Sequence, residues 1–393
     1  MNHWISSRLS KRTALEIIIL IIGLVIFLII PFLFPINITA GDFRPYWSST
    51  YLLAHGQDFS DPTKMYAIEQ TLTGWTESYV MYAWFAPTGD VILLPFTLFS
   101  FPLATYYWLL TNLLIVFASV LLIWSHTKKR LWIPLVASFG FSMTLVSFIN
   151  GQVNTVVVLG LALFLYFKEL RRDEMAGASL VLTTVKPHLV ILALPLLLLD
   201  SLRRRQWRVL AGFAGALFLC MLILFVFDPA WPVRFWELVA SGMSTFRETP
   251  TLSGLLLVVG EYRLGKWIWV FALFLATVIW WQRGKEWDRR TLIDVSILIG
   301  ITASPIGWSY DQVMLLFPLL RVLEWMANGA LAQRDTIALA LVMVIVNAIT
   351  IYERILGPGD VWYFWVPLVA IAIYLFAWQR RRVNRLRFPT RLA

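Results

Sequence analysis

The chain has 393 residues, of which 59% are apolar and only 14% charged, with a formal net charge of +10. Soluble domains are about 45–50% apolar and about 25% charged, so the composition excludes a soluble enzyme, a disordered chain and a secreted disulfide scaffold. The single cysteine, Cys220, can form no intrachain disulfide. Basic residues cluster between apolar runs, which indicates membrane topology and not nucleic-acid binding.

Apolar runs follow one another along the whole chain. The first, 14–34, is longer than the apolar part of a signal peptide, which has about 7–15 residues, so we expect an uncleaved helix that starts in the cytoplasm. A spanning helix needs about 20 residues. The sequence therefore predicts an all-α polytopic membrane protein with about 12 spans, within a range of about 10 to 13. The later runs lie at 80–100, 103–125, 131–149, 152–167, 176–199, 208–227, 264–282, 291–306, 311–327, 336–352 and 362–378.

Two long polar stretches, 35–79 and 228–262, interrupt the runs. The basic residues at 203–205 and 380–382 indicate cytoplasmic ends. This sidedness places both polar stretches outside. No linker or soluble domain is recognisable, so we predict one membrane domain over residues 1–393.

Two of the runs carry a helix breaker near the middle. Run 80–100 contains Pro87, and run 176–199 contains Lys186 followed by Pro187. If all the runs span, the basic residues at 128–130 and 171–172 fall outside, against the positive-inside rule. If these two runs are broken or re-entrant, the basic residues return inside and about ten spans remain. The length of the runs favours twelve.

Asp42 is the first charged residue that membrane burial does not explain. Pro45 suits the first turn of a helix and Gly56 its end, so the sequence predicts a short helix on the outer membrane surface. Asp42 precedes this helix, where the dipole favours the charged carboxylate. Such a carboxylate could act as a general base. The alternative is a helix cap or a partner for Arg44.

Lys186 lies inside an apolar run, where a lysine costs about 2.5–3.5 kcal/mol on insertion scales and usually marks a function. Pro187 excludes helical geometry at Lys186. A lysine at a broken helix is a plausible phosphate ligand, and His188 could donate a second hydrogen bond. The alternative is a lysine that snorkels or pairs with a carboxylate elsewhere.

Two further segments combine polar and aromatic residues between apolar runs. Segment 304–311 contains Trp308, Tyr310 and Asp311, which could bind a sugar or form only an interfacial turn. Segment 150–154 contains Gln152 and Asn154, which could line a polar cavity or only cap helix ends.

The sequence lacks a nucleotide-binding loop, a dinucleotide fingerprint and a zinc motif. The four histidines are scattered along the chain. We therefore expect neither a metal ion nor a cofactor.

Short motifs follow one another along the chain. They are Gly41-Asp42-Phe43 with Tyr46, Asp61-Pro62 with Tyr66, the stretch from Tyr82 to Pro87, Gly151-Gln152-Val153-Asn154, Lys186-Pro187, and Ser304-Pro305 with Trp308. Their order and spacing resemble glycosyltransferase family 87. Its characterised members are polyprenyl-phosphate-mannose-dependent mannosyltransferases and similar arabinofuranosyltransferases of bacterial envelopes.

The resemblance implies a GT-C membrane fold with its active site facing the extracytoplasmic side of the plasma membrane. It implies that Asp42 is the catalytic base and that Lys186, His188 and Arg44 hold the donor phosphate. The family often has a histidine just after its Ser-Pro-x-x-Trp motif, where this chain has Tyr310 and Asp311. The expected substrate-binding residues are Tyr46, Tyr82, Gln152, Asn154, Trp308, Tyr310 and Asp311.

The expected donor is a polyprenyl-phosphate sugar, with mannose favoured over arabinofuranose. The expected acceptor is an envelope glycolipid or polysaccharide, and the expected surroundings are membrane lipids; no nucleic acid or protein partner is indicated. One alternative is a lipid or small-solute transporter without transferase activity, although no inverted repeat is recognisable. Another is a non-catalytic scaffold for envelope assembly.

Overall fold

The structure is a computed structural model that describes residues 40–125, 130–240, 248–284, 287–357 and 359–387. The described chain is 78% helical and contains no strand. The predicted all-α class is therefore confirmed. The predicted first helix, 14–34, lies outside the described residues, as do the basic residues 128 and 129.

The first half of the chain contains several helices shorter than a membrane span. The helices are α1 (Phe43–Ala54), α2 (Pro62–Thr73), α3 (Thr88–Leu93), α4 (Phe101–Trp124), α5 (Trp132–Phe139), α6 (Ser142–Ile149), α7 (Asn154–Glu169), α8 (Asp173–Ser179) and α9 (Ala193–Arg203). Three 3₁₀ helices lie between them, Leu94–Leu98, Leu180–Val185 and Pro187–Val190.

The second half holds more of the long helices. The helices are α10 (Trp207–Phe227), α11 (Trp231–Ala240), α12 (Leu252–Val258), α13 (Tyr262–Gly265), α14 (Ile268–Arg283), α15 (Arg289–Ala303), α16 (Leu316–Ala327), α17 (Gln333–Leu356) and α18 (Trp365–Arg387). Two 3₁₀ helices, Ser309–Leu315 and Asp360–Phe364, lead into α16 and α18.

Within the described residues, five segments are long and apolar enough to cross a membrane. They are Phe101–Trp124, Trp207–Phe227, Arg263–Gln282, Gln333–Leu356 and Asp360–Asn384. Helices α5 and α6 meet at a bend of 60° and together make a sixth candidate. Apolar side chains of α10 point away from the protein, with Phe218 69% and Val226 75% exposed, as lipid-facing residues would be. The total of twelve spans stays a prediction.

Both runs with a central breaker are interrupted in the structure. Residues 176–199 contain the end of α8, two 3₁₀ helices and the start of α9, with Lys186 between the two 3₁₀ helices. Residues 80–100 contain only the short α3 and the 3₁₀ helix after it. Neither run forms one continuous helix. Lys186, the residue before Pro187, has a φ of −130° and a ψ of 80°, outside the helical region, as the residue before a proline favours. Pro87 directly precedes α3, and a proline can begin a helix but cannot continue one from the residues before it.

Helix α1 begins at Phe43 and ends before Gly56, close to the predicted bounds. Gly56 has a φ of +64°, which favours glycine and ends the helix. The helix is enclosed by protein, since its residues 43–50 are all buried along with Leu52 and Leu53. An aromatic-rich face does not reveal that the opposite face is also covered. Its location at the outer membrane surface stays a prediction.

Candidate active site

The candidate residues lie at the start of α1 and in three interruptions between α-helices, and the fold brings these places together. Asp42 precedes α1, Gln152 lies between α6 and α7, and Lys186 lies between two 3₁₀ helices. Asp311 is in the 3₁₀ helix Ser309–Leu315. Side chains at helix breaks can point into the interior while the irregular backbone is satisfied by protein neighbours.

The break at Gly151 holds Asp42 in place. Gly151 has a φ of +64°, and a Cβ there would lie 2.8 Å from the Cβ atoms of Ala40 and Phe43. The backbone N–H of Asp42 donates to the carbonyl of Asn150 at 3.1 Å. The indole N–H of Trp108 donates to the carbonyl of Gly151 at 2.7 Å. Only a glycine allows this close approach of the two segments.

The carboxylate of Asp42 is half-buried and accepts hydrogen bonds from the amide of Gln152 and the hydroxyl of Tyr310. Burial raises the pKa of Asp42, while Lys186 and these two hydrogen bonds act to lower it. The side chain makes no capping hydrogen bond to α1. The structure thus does not support the helix-cap alternative.

Lys186 is 1% exposed and has two hydrogen-bond partners among the residues that the structure describes. Its Nζ donates to Gln152 Oε1 at 2.7 Å and to Asp311 Oδ1 at 3.1 Å. The pairing with a carboxylate is one of the alternatives left open by the sequence. Because a lysine ammonium carries three N–H donors, one hydrogen remains for another acceptor.

Aromatic rings surround the ammonium group of Lys186. Its Nζ lies 5.1 Å from the ring centre of Tyr310, 5.8 Å from that of Trp308 and 6.0 Å from that of Tyr46. The rings of Trp308 and Tyr310 stack with their centres 6.0 Å apart and their planes 9° from parallel. Cation–π contacts of this kind stabilise a buried positive charge without neutralising it.

Asp311 is 2% exposed and joins Lys186 to His188, whose Nε2 lies 3.3 Å from Asp311 Oδ2. Burial alone would raise the pKa of Asp311, but Lys186 and His188 outweigh it and hold the pKa well below its ordinary value. The same carboxylate accepts the backbone N–H of Trp308 at 3.0 Å. His188 is 11% exposed and also contacts the ring of Trp308 edge-on.

Two buried amides complete the polar cluster. Asn154 accepts from Ser147 and donates to the carbonyl of Tyr310 at 2.8 Å, so it links α6, α7 and the segment of Asp311. Asn112 donates to the carbonyl of Gln152 at 3.0 Å and accepts from Thr155. Sequence reasoning missed Asn112, although an amide in the middle of the apolar α4 was the available signal.

Two predicted site residues, Arg44 and Tyr82, contact residues outside this cluster. The Cζ atom of Arg44 lies 4.6 Å from the ring centre of Trp75, and its Nη2 donates to the carbonyl of Thr73 at 3.5 Å. The ring of Tyr82 packs at a tilt against Trp84, with centres 6.1 Å apart. The structure therefore brings Asp42, Gln152, Lys186 and the 308–311 segment together, and gives Arg44 and Tyr82 other neighbours.

Next to Arg44, helix α2 contains a buried carboxylate. Glu69 on α2 accepts the backbone N–H of Met81 at 3.0 Å, and its Oε1 has no hydrogen-bond partner among the described residues. Burial raises the pKa of Glu69 to about 7, against the lowering effects of this hydrogen bond and of Arg44. This carboxylate ties α2 to the stretch that leads into α3.

The described residues contain no group of three or more His, Cys, Asp or Glu side chains placed to hold a metal ion. That the protein needs no metal or cofactor stays a prediction.

Comparison with known proteins identifies the family. The search of curated proteins and the search of solved structures gave no match. A model of glycosyltransferase family 87 matches residues 82–305, which is more than half of the chain and includes Gln152, Lys186 and His188. The chain therefore belongs to glycosyltransferase family 87.

Proposed function

We propose that this membrane glycosyltransferase moves a sugar from a polyprenyl-phosphate donor to a hydroxyl of an envelope glycolipid or polysaccharide. The observation that carries the proposal is the half-buried carboxylate of Asp42 joined through one amide to the buried ammonium of Lys186. A base and a cation at fixed separation suit a displacement in which a proton is removed and a phosphate leaves. The proposed location is the extracytoplasmic side of the plasma membrane, in a GT-C-type fold.

The proposed reaction is a single displacement with inversion. The acceptor oxygen attacks the anomeric carbon while the bond from that carbon to the donor phosphate oxygen breaks, and the phosphate leaves with the electron pair. Asp42 takes the proton of the acceptor hydroxyl as general base. The raised pKa of Asp42 favours proton transfer because it makes the carboxylate a stronger base.

The leaving phosphate gains negative charge and needs a cation. Lys186 is already desolvated and fixed by Gln152 and Asp311, so it can stabilise that charge without reorganising. Its third N–H and the ring of His188 are the proposed phosphate contacts. Arg44 is engaged with Trp75 and Thr73, and we leave it out of the proposed phosphate site.

An apolar groove supports a lipid-linked donor. The groove has a volume of about 530 Å³ and is lined by residues of α5, α16, α17 and α18, with Phe141, Leu316 and Met343 among its walls. Phe141 directly precedes α6, which leads to Asn150 at the site, and Leu316 follows the 3₁₀ helix that holds Asp311. An isoprenoid chain matches such a surface because it has no polar group to desolvate.

The sugar itself is assigned by family analogy. Mannose is the proposed donor sugar and arabinofuranose the second choice. The half-buried, stacked rings of Trp308 and Tyr310 offer a flat surface on which a sugar ring can pack. Asp311 and Asn154 hold the backbone of these two residues by hydrogen bonds.

The test uses purified protein in nanodiscs with polyprenyl-phosphate mannose, polyprenyl-phosphate arabinofuranose and matched nucleotide sugars, each with an envelope glycolipid extract. We expect release of polyprenyl phosphate and a product of opposite anomeric configuration to the donor. Transfer from a nucleotide sugar, or retention of configuration, would overturn the proposal. Comparison of the two lipid donors decides the sugar.

A further inference from the structure

Gln152 uses both ends of its side-chain amide inside the site. Its Nε2 donates to Asp42, while its Oε1 accepts from Lys186 at 2.7 Å and from the hydroxyl of Tyr46 at 2.9 Å. An amide oxygen has two lone pairs, and both are occupied here. The residue is fully buried, so it offers no acceptor to a substrate.

The chemistry of the neighbours fixes which way the amide points. Reversal would place the NH₂ group against the ammonium of Lys186 and the oxygen against the carboxylate of Asp42. Both contacts would lose a hydrogen bond and bring like charges or partial charges together. The backbone is also held, because the N–H of Gln152 donates to Ser147 at 3.0 Å and its carbonyl accepts from Asn112 at 3.0 Å.

We propose that Gln152 is a positioning residue of the transfer reaction, whose amide aims the Asp42 carboxylate and links it to the ammonium of Lys186. This inference rests on the proposed function for the reaction that Asp42 performs. It replaces the expectation that Gln152 binds substrate. Hydrogen bonds in such a chain polarise one another, so donation by Lys186 strengthens the bond from Gln152 to Asp42.

The Gln152 amide affects the protonation of Asp42 as well as its position. The charged or titratable groups that face Asp42 from the surrounding segments are Lys186, Asp311, Tyr46 and Tyr310. Burial and Asp311 favour the protonated carboxyl, and Lys186, Gln152 and Tyr310 favour the charged one. Removal of the Gln152 amide takes away one support of the charged form while Lys186 keeps its partner Asp311.

The test is the variant Gln152→Met, which keeps the volume and removes the amide. Infrared difference spectra against Asp42→Asn give the titration of the Asp42 carboxyl without turnover. We expect the midpoint to rise by about 1 pH unit, the size expected for loss of a hydrogen bond to the charged form. The acidic limb of polyprenyl-phosphate release should move up by the same amount, with kcat reduced and the donor KM nearly unchanged.

The matched control is Gln312→Met. Gln312 is a buried glutamine whose Nε2 donates to the carbonyl of Tyr363 at 3.0 Å. This change should leave the Asp42 midpoint where it is. If Gln152→Met does not fold, Gln152→Val gives the same test, because it removes the amide and adds no charged or hydrogen-bonding group; the midpoint should again rise.

An unchanged or lowered Asp42 midpoint in both Gln152 variants would overturn the inference. Adding Gln152→Met should reduce activity by a smaller factor in Asp42→Asn protein than in the wild-type protein, and an equal factor in both would also contradict it. If the wild-type protein releases no polyprenyl phosphate from any donor, the proposed function fails, while the infrared titration still decides whether Gln152 positions Asp42.

Discussion

Gln152 donates its side-chain amide to the carboxylate of Asp42, a residue 110 positions away in the chain. The same amide accepts from Lys186, so one side chain joins a candidate base to a buried cation. Asp42 lies where a helix begins, and Lys186 lies where a helix breaks. Gly151 lets the segment that holds Gln152 come close to the segment that holds Asp42. The breaks in the helices therefore build the site.

Removal of Lys186 should destabilise the protein strongly. In the described part of the chain, Lys186→Met leaves the buried Asp311 carboxylate with only His188 and the backbone N–H of Trp308 as polar partners. Breaking a buried ion pair by removing one partner costs about 3–5 kcal/mol. We expect a clearly lower midpoint of thermal unfolding, measured in detergent by intrinsic fluorescence.

The control for this change is Lys266→Met, at an exposed lysine beside Trp267, which should shift the midpoint little. The double variant Lys186→Met with Asp311→Asn should recover much of the lost stability, because no unpaired buried charge remains. Equal destabilisation by the single and double variants would contradict the account of the pair.

Glu69 should make the stability of the protein around α2 depend on pH. Its pKa rises from an ordinary 4.5 to about 7 in the folded protein, so folding favours the protonated carboxyl. The stabilising contribution of protonation is complete below pH 4.5 and is lost as pH rises to about 7. Glu69→Gln should leave the unfolding temperature nearly unchanged at pH 4.5 and raise it at pH 8.

The comparison variant is Glu77→Gln, an exposed carboxylate in the same polar stretch, which should change the unfolding temperature little at either pH. An equal effect of Glu69→Gln at the acidic and the basic pH would show that ionisation of Glu69 is not the cause.

Gly151→Ala should harm both stability and catalysis. The φ of +64° costs a non-glycine residue about 1–2 kcal/mol, and the new Cβ would press on Ala40 and Phe43. Because Gln152 is the next residue, this pressure should displace its amide from Asp42. Lower thermal stability and a lower rate of sugar transfer are the expected measurements.

Gly74→Ala separates the backbone strain of a positive φ from the steric contact of the new Cβ. Gly74 has a φ of +70°, but no atom of the described residues lies within 4 Å of an added Cβ, so the substitution brings only the backbone strain. We expect a smaller loss of stability and no loss of transfer at Gly74. Equal behaviour of the two variants would mean that the close approach at Gly151 does not matter.

Much of the local structure could be predicted from the sequence. Pro45 and Gly56 bound α1 nearly correctly, and Pro187 correctly indicates the break beside Lys186. These signals are local, since they depend on the φ angle that a single residue allows. Local signals also found Asp42, Lys186 and Asp311 as polar residues without an obvious structural reason.

The contacts among those residues could not be predicted. Lys186 and Asp311 are 125 positions apart, and the residues around each give no indication that the two side chains form a pair. Gln152 can bridge Asp42 and Lys186 only because the segments that hold these residues meet in the fold. Hydrophobic periodicity does not predict where such segments meet. The enclosure of α1 was missed because an amphipathic pattern reports one buried face and not what covers the other.

Comparison of the wild-type protein with Asp42→Asn for release of polyprenyl phosphate tests the central claim most directly. The account predicts a loss of at least about 100-fold, the range of a general base, in protein that unfolds at an unchanged temperature. Asp61→Asn is the control, because asparagine caps α2 as well as the aspartate does. Normal release by folded Asp42→Asn protein would contradict the assignment of Asp42 as the catalytic base.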